Sequence, residues 1–214
     1  MGNNGFFITF EGGDASGKST QVRRLGRTIK KLGRPTVLLS EPGGISLGKK
    51  IRRIVKFSPS PISAESELLL FLASRAQLVR EAIQPALENG KIVICDRFSD
   101  STLAYQGFGR GLDLDLIRQL NQFSTNGLSP DLTILLDLDP SLAKKRRKAS
   151  MKDRFESLNY QSSEGTVFFQ KVREGYLTLA REAPDRWLIF DGSLPVSELT
   201  SLIWAQIHNL LKTN

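Results

Sequence analysis

Short apolar runs alternate along this chain with longer segments whose apolar residues recur at helical spacing. Runs that are apolar at nearly every position are typical of strands buried on both faces of a parallel sheet. They predict five strands, over residues 5–10, 36–39, 92–95, 132–138 and 187–190. The periodic segments predict helices over residues 18–31, 45–57, 63–87 and 196–211. Pro85 should disturb the third of these helices, Asn89-Gly90 should end it, and Asp139-Pro140 should begin a further one.

This alternation predicts an α/β fold in which helices cover both faces of a five-stranded parallel sheet. The chain has 214 residues, of which 40% are hydrophobic and 24% charged, close to the average of soluble globular proteins. No linker, repeat or low-complexity segment interrupts the pattern, so we expect a single domain over residues 1–214. Turn formers and charges cluster at residues 57–62 and 150–163, where mobile insertions are predicted.

The chain is basic, with 30 Lys and Arg against 22 Asp and Glu and a formal net charge of +8. Nucleic acid, a membrane surface or a polyanionic small molecule would each fit that sign. The densest basic run, residues 144–148, reads most simply as a solvated helix face. Aromatic residues do not alternate with it, which argues against a stacking platform for single-stranded nucleic acid.

Several protein classes are excluded by the sequence. Cys95 is the only cysteine, so no intramolecular disulfide framework can form, and its apolar surroundings predict a buried thiol. No window approaches the roughly 20 apolar residues of a membrane helix, and the apolar stretch at residues 6–10 is too short for a signal peptide. We therefore expect a soluble, cytoplasmic protein that binds neither membrane nor nucleic acid. His208, the only histidine, lies far from every motif and is expected at the surface or in packing.

The turn after the first predicted strand matches the phosphate-binding pattern G-x-x-x-x-G-K-[ST], the P-loop, at every fixed position. Such a backbone curls round a phosphate with its N–H groups inward, and glycine adopts that shape without steric penalty. The following helix presents its first N–H groups and its positive dipole end to the anion. Lys18 would place its charge near the β and γ oxygens, and the Ser19 hydroxyl can ligate Mg²⁺. The predicted triphosphate-binding residues are Gly12, Gly13, Asp14, Ala15, Ser16, Gly17, Lys18, Ser19 and Thr20.

Polar residues also follow the second and third predicted strands, at the strand ends where ligands gather in open α/β sheets. Asp96 could reach Mg²⁺, and Arg97 beside it could grip a phosphate. Glu41 opens the turn Glu41-Pro42-Gly43-Gly44, for which a surface charge in an ordinary turn is the alternative.

Phe71 and Arg75 are four residues apart on the third predicted helix and therefore project from one face. A ring and a guanidinium placed together can stack on a nucleobase and bond its edge. Core packing is the alternative for Phe71.

With these segments in place, the sequence resembles the thymidylate kinase family over about residues 6–212. The motifs that carry the resemblance occur in order: the P-loop with Asp14, the turn at 41–44, Phe71 with Ala73-Ser74-Arg75, the string from Asp96 to Gln106, Gly109-Arg110-Gly111, and Pro130-Asp131-Leu132-Thr133. The resemblance implies the three-layer P-loop fold of nucleoside monophosphate kinases, Mg²⁺ as cofactor, and a homodimer. The implied reaction moves the γ-phosphoryl group of ATP to dTMP, giving dTDP and ADP, in dTTP synthesis.

The resemblance also assigns roles at the acceptor nucleotide. The implied substrate-binding residues are Asp14, Glu41, Arg52, Phe71, Arg75, Arg97, Thr102, Tyr105 and Gln106. Asp14 would meet the 3′-hydroxyl of the sugar, Arg52 and Arg97 would hold the acceptor phosphate, and Tyr105 would lie against the deoxyribose, where a 2′-hydroxyl would be crowded.

The thymine base has its own implied contacts. Phe71 would stack on the ring, and Arg75 would bond a carbonyl oxygen. Thr102 and Gln106 would read the base edge near N3.

The metal site implied by the resemblance combines Ser19, Asp96 and water, which together would hold Mg²⁺. Glu41 would support the metal and the acceptor phosphate region.

The family takes its catalytic arginine either from the P-loop or from a mobile lid. Ala15 stands at the P-loop position where one subgroup has arginine, so this chain resembles the lid-arginine subgroup of bacteria. The lid would then span about residues 144–163, with Arg146 and Arg154 as the candidates that neutralise charge on the phosphoryl group. The implied catalytic residues are Lys18, Arg97, Arg154, Arg146 and Asp14.

Two positions depart from the family pattern. Ser40 stands where many members have arginine before the Glu-Pro-Gly-Gly turn, and Ile45 stands where they have threonine after it. The acceptor phosphate therefore depends more on Arg52 and Arg97.

Two rival functions remain at the level of the sequence. Another nucleoside or nucleotide kinase would share the P-loop, and a nucleoside kinase would need a base such as Glu41 to deprotonate its hydroxyl acceptor. A P-loop ATPase or switch protein would use the positive charge for a partner or DNA and would release no phosphorylated nucleotide.

Overall fold

A parallel sheet of five strands forms the centre of this computed structural model, which describes residues 5–146 and 163–213 and, in the last helix, side chains as far as Leu211. The strands are β1 (Phe6–Glu11), β2 (Thr36–Ser40), β3 (Ile92–Asp96), β4 (Leu132–Asp137) and β5 (Trp187–Asp191). Their order across the sheet is β2-β3-β1-β4-β5. All five predicted strands are present, with ends shifted by a single residue at most, and the predicted α/β class with a five-stranded parallel sheet is confirmed.

Helices occupy most of the chain between the strands. The α-helices are α1 (Lys18–Lys31), α2 (Ser46–Phe57), α3 (Ala64–Leu78), α4 (Gln84–Glu88), α5 (Ser99–Thr102), α6 (Leu114–Thr125), α7 (Pro140–Arg146), α8 (Ser163–Glu182) and α9 (Val196–Thr213). Two π-helical segments, Val79–Ile83 and Leu103–Gly109, and a 3-10 turn, Pro184–Arg186, complete the described elements. Within the two described stretches, every helix is too short or too polar to span a bilayer.

The strand side chains alternate between two apolar cores on opposite faces of the sheet. Ile8 and Phe10 of β1 pack in one core with α1 and α9. Phe7, which directly precedes Ile8, points to the opposite face and packs with the helical segment that begins at α3. Both faces of the sheet are therefore buried, which explains why the strands are apolar at nearly every position.

The long helix predicted over 63–87 is interrupted, as Pro85 suggested. It is α-helical to Leu78, widens into the π turn Val79–Ile83 and resumes as α4. A proline lacks the backbone N–H that a regular helix needs, and a π turn absorbs the mismatch. At the other end, the Ser63 hydroxyl accepts a hydrogen bond from Ser66 N at 3.2 Å, which caps α3.

Among the described elements, three helical segments and the 3-10 turn were not predicted: the segments are α5 with its π-helical continuation, α6, and α8. The π segment lies very close to α8, and glycines make that approach possible. A Cβ on Gly109 would meet Phe168 Cε2 at 2.6 Å, and one on Gly175 would meet Phe108 Cδ2 at 2.7 Å. These glycines lower helix propensity locally, yet they fix the π segment against α8.

Candidate active site

The P-loop between β1 and α1 has the backbone shape that its glycines predict. Gly12 has a φ of 132°, Gly17 a φ of 98°, and Ala15 a φ of 58°, all in the left-handed region that favours glycine. A Cβ at Gly12 would lie 2.5 Å from Leu136 O, so no larger residue fits there without a shift. The loop leads directly into α1, whose N-terminal N–H groups suit an anion.

Lys18, the first residue of α1, folds back over this loop. Its Nζ donates to Gly13 O at 2.7 Å and lies 3.4 Å from Ser16 Oγ. The side chain is buried, and burial, assisted by the positive charge of Arg97, lowers the pKa of Lys18 to about 8. The ammonium group is thus poorly solvated, and a phosphate anion in the loop would place a further negative charge beside it.

Ser19 and Asp96 meet beside the P-loop, because β3 lies next to β1 and ends at Asp96. The Ser19 hydroxyl donates to Asp96 Oδ2. Within residues 5–146 and 163–213 there is no group of three or more His, Cys, Asp and Glu that could hold a metal. A hydroxyl and one carboxylate fit Mg²⁺, which keeps several waters and takes phosphate oxygens as ligands.

Two adjoining cavities lined by described residues open at the carboxyl edge of the sheet. The P-loop cavity is lined by loop residues together with Ser40, Asp96 and Arg146. The Phe71 cavity lies beside it and is lined by rings and polar groups, including Phe71, Arg75, Thr102, Tyr105 and Gln106. All the residues predicted to contact the base and the sugar ring therefore line one cavity.

The two cavities share the residues Asp14, Glu41, Arg52, Lys56 and Arg97. Charged groups of both signs thus stand where the cavities meet. Phosphates of two nucleotides, one in each cavity, would converge on this junction.

Arg97 is held at the junction by contacts on both of its terminal nitrogens. Its Nη2 donates to Asp14 Oδ1 at 2.8 Å and to Tyr105 Oη at 3.1 Å. Its Nη1 donates to Ser101 Oγ at 3.3 Å and to Tyr176 Oη at 3.2 Å. The backbone has a φ of 72°, a conformation that costs free energy in a non-glycine residue and is found mainly at functional sites.

Glu11 lies beneath Arg97, fully buried at the end of β1. Its carboxylate accepts hydrogen bonds from Phe98 N at 2.7 Å, from Ser101 Oγ at 2.5 Å and from Tyr176 Oη at 2.9 Å. Burial, followed by the negative charge of Asp100, raises the pKa of Glu11 to about 7. Ser101 and Tyr176, two of the groups that hold Arg97, are thus themselves ordered by the buried carboxyl group of Glu11.

Glu41 and Arg75 form a buried ion pair, with Arg75 Nη2 2.7 Å from Glu41 Oε2. Arg75 also donates to Asn121 Oδ1 at 2.7 Å and to Phe98 O at 3.1 Å. Burial raises the pKa of Glu41, against the opposing charge of Arg75. Glu41 Oε1 is buried without a hydrogen-bond partner among the described residues, at a position that borders both cavities.

The predicted lid residues are only partly described. Arg146, the last residue of α7, is exposed, lines the P-loop cavity, and donates to Gly192 O at 2.7 Å and to Ser193 O at 2.9 Å. Arg154 and most of the predicted lid at 144–163 lie outside the described residues, as does most of the predicted insertion at 150–163.

Comparison with known proteins decides the family. A family model described as thymidylate kinase matches residues 10–203. The chain belongs to the thymidylate kinase family. The resemblance noted from the motifs is thereby confirmed, and the ATPase or switch reading is not favoured.

Named thymidylate kinases match nearly the whole chain. The protein of Dehalococcoides mccartyi strain CBDB1 is 52% identical over 206 residues, 96% of each chain. That of Deinococcus radiodurans is 45% identical over 206 residues, 96% of this chain and 97% of the other. The crystal structure of thymidylate kinase from Ehrlichia chaffeensis covers 95% of this chain and 98% of its own with a TM-score of 0.77 at 33% identity, which confirms the P-loop nucleoside monophosphate kinase fold.

Several residues around the site were given no role by the sequence analysis, although Ser101 and Arg110 lie within its motifs. They are Glu11, Lys56, Glu67, Ser101, Arg110 and Tyr176. The burial of Glu11 could have been predicted, since a carboxylate directly after an apolar strand and before the P-loop is a candidate for burial. The place of Tyr176 in the site could not, because it lies 165 positions from its partner Glu11 and belongs to no motif.

The two positions that depart from the family pattern have ordinary places in the structure. Ser40 lines the P-loop cavity. Ile45 is buried in the core with Phe7 and Leu78. An apolar residue at position 45 is therefore explained by packing.

Cys95 is a buried thiol, as predicted. The centroid of the His208 ring lies 5.5 Å from that of the Trp204 ring on α9.

Proposed function

We infer that this protein transfers the γ-phosphoryl group of ATP to dTMP, giving dTDP and ADP. The observation that carries the inference is the junction of the two cavities at Arg97. The P-loop cavity suits a triphosphate, and the Phe71 cavity, which carries rings and edge-binding polar groups, suits a nucleobase with its sugar. Membership in the thymidylate kinase family specifies thymine as that base.

In this arrangement the chain supplies position and charge rather than a base. An oxygen of the acceptor phosphate forms a bond to the γ-phosphorus while the bond from that phosphorus to the β-bridging oxygen breaks, and ADP leaves. The attacking oxygen is already ionised, so no general base is required. Lys18 binds the donor phosphates, while Arg97 and Arg52 hold the acceptor phosphate in line.

Mg²⁺, which Ser19 and Asp96 would hold with Glu41 nearby, would neutralise charge on the donor phosphates. The Ser19–Asp96 hydrogen bond keeps both groups beside the P-loop before any ion binds. Asp14 borders the acceptor side of the junction and, through its ion pair with Arg97, couples the sugar contact to the phosphate contact.

Recognition of the thymine base falls to four residues of the Phe71 cavity. Phe71 stacks on the ring, and Arg75 reaches a carbonyl from the buried ion pair with Glu41. Thr102 and Gln106 lie on adjoining turns of α5 and the π segment and read the edge near N3. Tyr105 lies between them in sequence and packs against the sugar.

We further propose that residues 1–214 act as one kinase domain with a lid at about 144–163. Ala15 leaves the P-loop without an arginine, so the lid must bring the charge that neutralises the moving phosphoryl group. Arg146 already lines the P-loop cavity, and Arg154 follows it within the proposed lid. Closure of such a segment would exclude water and prevent wasteful hydrolysis of ATP.

Steady-state kinetics with dTMP, dUMP, dCMP, dGMP and thymidine as acceptors tests the proposed function. We expect the largest kcat/KM for dTMP and a dTDP product on chromatography. Activity on thymidine should be negligible, because thymidine lacks the ionised phosphate oxygen that attacks and that Arg52 and Arg97 would hold. Preference for dGMP or thymidine, or ATP hydrolysis without a nucleotide product, would contradict the proposal.

We also propose a homodimer formed through the surface of α2, α3 and α6. α3 packs between the other two helices, and all three expose large apolar side chains. These are Leu47, Ile54 and Phe57 on α2, Leu69 on α3, and Leu116 and Phe123 on α6. Phe123 is 85% exposed. Apolar exposure on neighbouring helices of one surface is typical of a face that is covered by a partner.

Replacing Phe123 with aspartate should weaken this dimer by at least roughly tenfold, because burial of a carboxylate in an apolar interface is costly. Sedimentation equilibrium over a concentration series would measure the change in Kd. Leu202→Asp, at an exposed apolar position on α9 away from this surface, is the matched control and should leave Kd unchanged. A wild-type monomer at high micromolar concentration would rule out the dimer.

A further inference from the structure

Glu67 is buried in the first turn of α3 and bonds a predicted base-reading residue. Its side chain is 2% exposed. Its Oε1 accepts a hydrogen bond from Gln106 Nε2 at 2.9 Å. Arg110 donates to the same carboxylate, from Nη2 to Oε2 at 3.0 Å and from Nε to Oε1 at 3.3 Å. Glu67 is not among the described residues that line the Phe71 cavity, whereas Gln106 is.

The chemistry of this contact fixes which way the Gln106 amide points. A carboxylate that is ion-paired with arginine only accepts hydrogen bonds. Only the NH₂ end of the Gln106 amide can therefore face Glu67, because a carbonyl oxygen there would oppose the carboxylate oxygens. The Gln106 side chain is buried, so the amide cannot turn into solvent and replace its hydrogen bond to Glu67 with one to water.

Arg110 stabilises the buried negative charge of Glu67 by pairing with it. Its guanidinium pairs with Glu67 and lies 5.1 Å from the centroid of the Phe168 ring. A buried charge without such a partner would be strongly destabilising. Arg110 thus supports Glu67, and Glu67 in turn orients Gln106.

We propose that Glu67 is a specificity-positioning residue, which turns the Gln106 carbonyl oxygen toward the Phe71 cavity and so selects bases with a ring N–H at that edge. This inference rests on the proposed function. Thymine and uracil carry a hydrogen on N3, which can donate to a carbonyl oxygen. Cytosine has the same ring, but its N3 bears a lone pair that would face the Gln106 oxygen.

The size of the effect follows from the cost of a mismatched buried pair. A site built to hydrogen-bond a substrate group rejects an analogue lacking that group by as much as roughly 10⁴-fold. Two acceptors facing each other leave both without a donor. The orientation of one amide therefore discriminates at N3 between two pyrimidines of nearly identical shape.

The variant Glu67→Gln tests the proposal. A glutamine at position 67 can accept from or donate to Gln106, so the Gln106 amide becomes able to turn and present its NH₂ end to the cavity. We expect the ratio of kcat/KM for dTMP to that for dCMP to fall at least tenfold, chiefly through improved use of dCMP. The KM for ATP should not change.

Deoxyuridylate provides an internal control, because dUMP has the N3 hydrogen but lacks the methyl group of thymine. The ratio of kcat/KM for dTMP to that for dUMP should stay unchanged in Glu67→Gln. Glu65→Gln, at an exposed position in the same helical turn, is the matched control variant and should leave both ratios as in the wild type.

The outcomes separate this inference from the function on which it rests. A wild-type enzyme that does not prefer dTMP would overturn the proposed function. A dTMP-selective wild type whose dTMP to dCMP ratio survives in Glu67→Gln would overturn the inference, as would a parallel fall of both ratios. If Glu67→Gln does not fold, the double variant Glu67→Gln/Arg110→Gln also removes the Arg110 charge that the single variant leaves unpaired. The dTMP to dCMP and dTMP to dUMP ratios of the double variant then test the inference in the same way.

Discussion

Replacing Arg97 with alanine is expected to lower kcat/KM for dTMP by roughly 100- to 1000-fold, mostly by raising KM. Arg97 stands where the two cavities meet, and its guanidinium is fixed by Asp14, Tyr105, Ser101 and Tyr176. A phosphate that binds such a preorganised group loses little free energy to ordering the side chain. Alanine removes the fork-shaped donor and leaves the buried Tyr105 and Tyr176 hydroxyls without it.

The change in KM should be specific to the acceptor. We expect the KM for ATP to change by less than about threefold, because in the proposed arrangement the donor is bound by Lys18 and the P-loop backbone. Arg97→Lys retains a point charge but not the planar fork, so it should fall between the wild type and alanine. Arg80→Ala, at an exposed position of the first π segment, should have no effect. Equal increases in both KM values would argue against an acceptor-phosphate role.

Features that lie close together in sequence could be predicted well. The P-loop, the strand ends and the Phe71-Arg75 pair each depend on fewer than about ten consecutive residues and on local geometry. Because parallel strands end at one edge of a sheet, the turns after β1, β2 and β3 had to converge there. Residue types at those ends therefore predicted the cavity lining before its shape was known.

Contacts between distant segments could not be predicted in the same way. Gln106 was predicted to read the base edge, but its hydrogen bond to Glu67, 39 positions away, gives the amide its direction. Arg75 was predicted to bond a thymine carbonyl, and its pair with Glu41 across 34 positions was not foreseen. Helical spacing specifies the face from which a side chain projects, whereas its partner depends on how the helices pack.

Glu11 shows why such contacts matter, since three of its neighbours connect it to Arg97. Ser101 and Tyr176 each touch both residues, and Phe98 N follows Arg97 directly in the chain. The position of Arg97 in the junction is thus tied to a carboxyl group whose charge is disfavoured by burial. That arrangement should be visible in the stability of the protein as the pH changes.

We expect the stability of Glu11→Gln relative to the wild type to increase with pH. The pKa of Glu11 is about 7 in the folded protein against 4.5 ordinarily, so between these values the folded state binds more protons than the unfolded state. The contribution of Glu11 to stability is therefore fully present below about pH 4.5 and is lost as the pH rises through 7. Glutamine does not titrate, so the variant escapes this loss.

Urea unfolding of both proteins at about pH 5 and about pH 8 measures the effect. The free energy of unfolding of Glu11→Gln minus that of the wild type should become more positive by about 2 to 3 kcal/mol between these conditions. Any constant cost of the amide in the Ser101 and Tyr176 contacts cancels in this comparison. For Glu198→Gln, at an exposed position on α9, the free energy of unfolding should change with pH as it does in the wild type. A difference that does not vary with pH would show that the Glu11 carboxyl keeps its ordinary pKa, and that Arg97 is held over a permanently charged group.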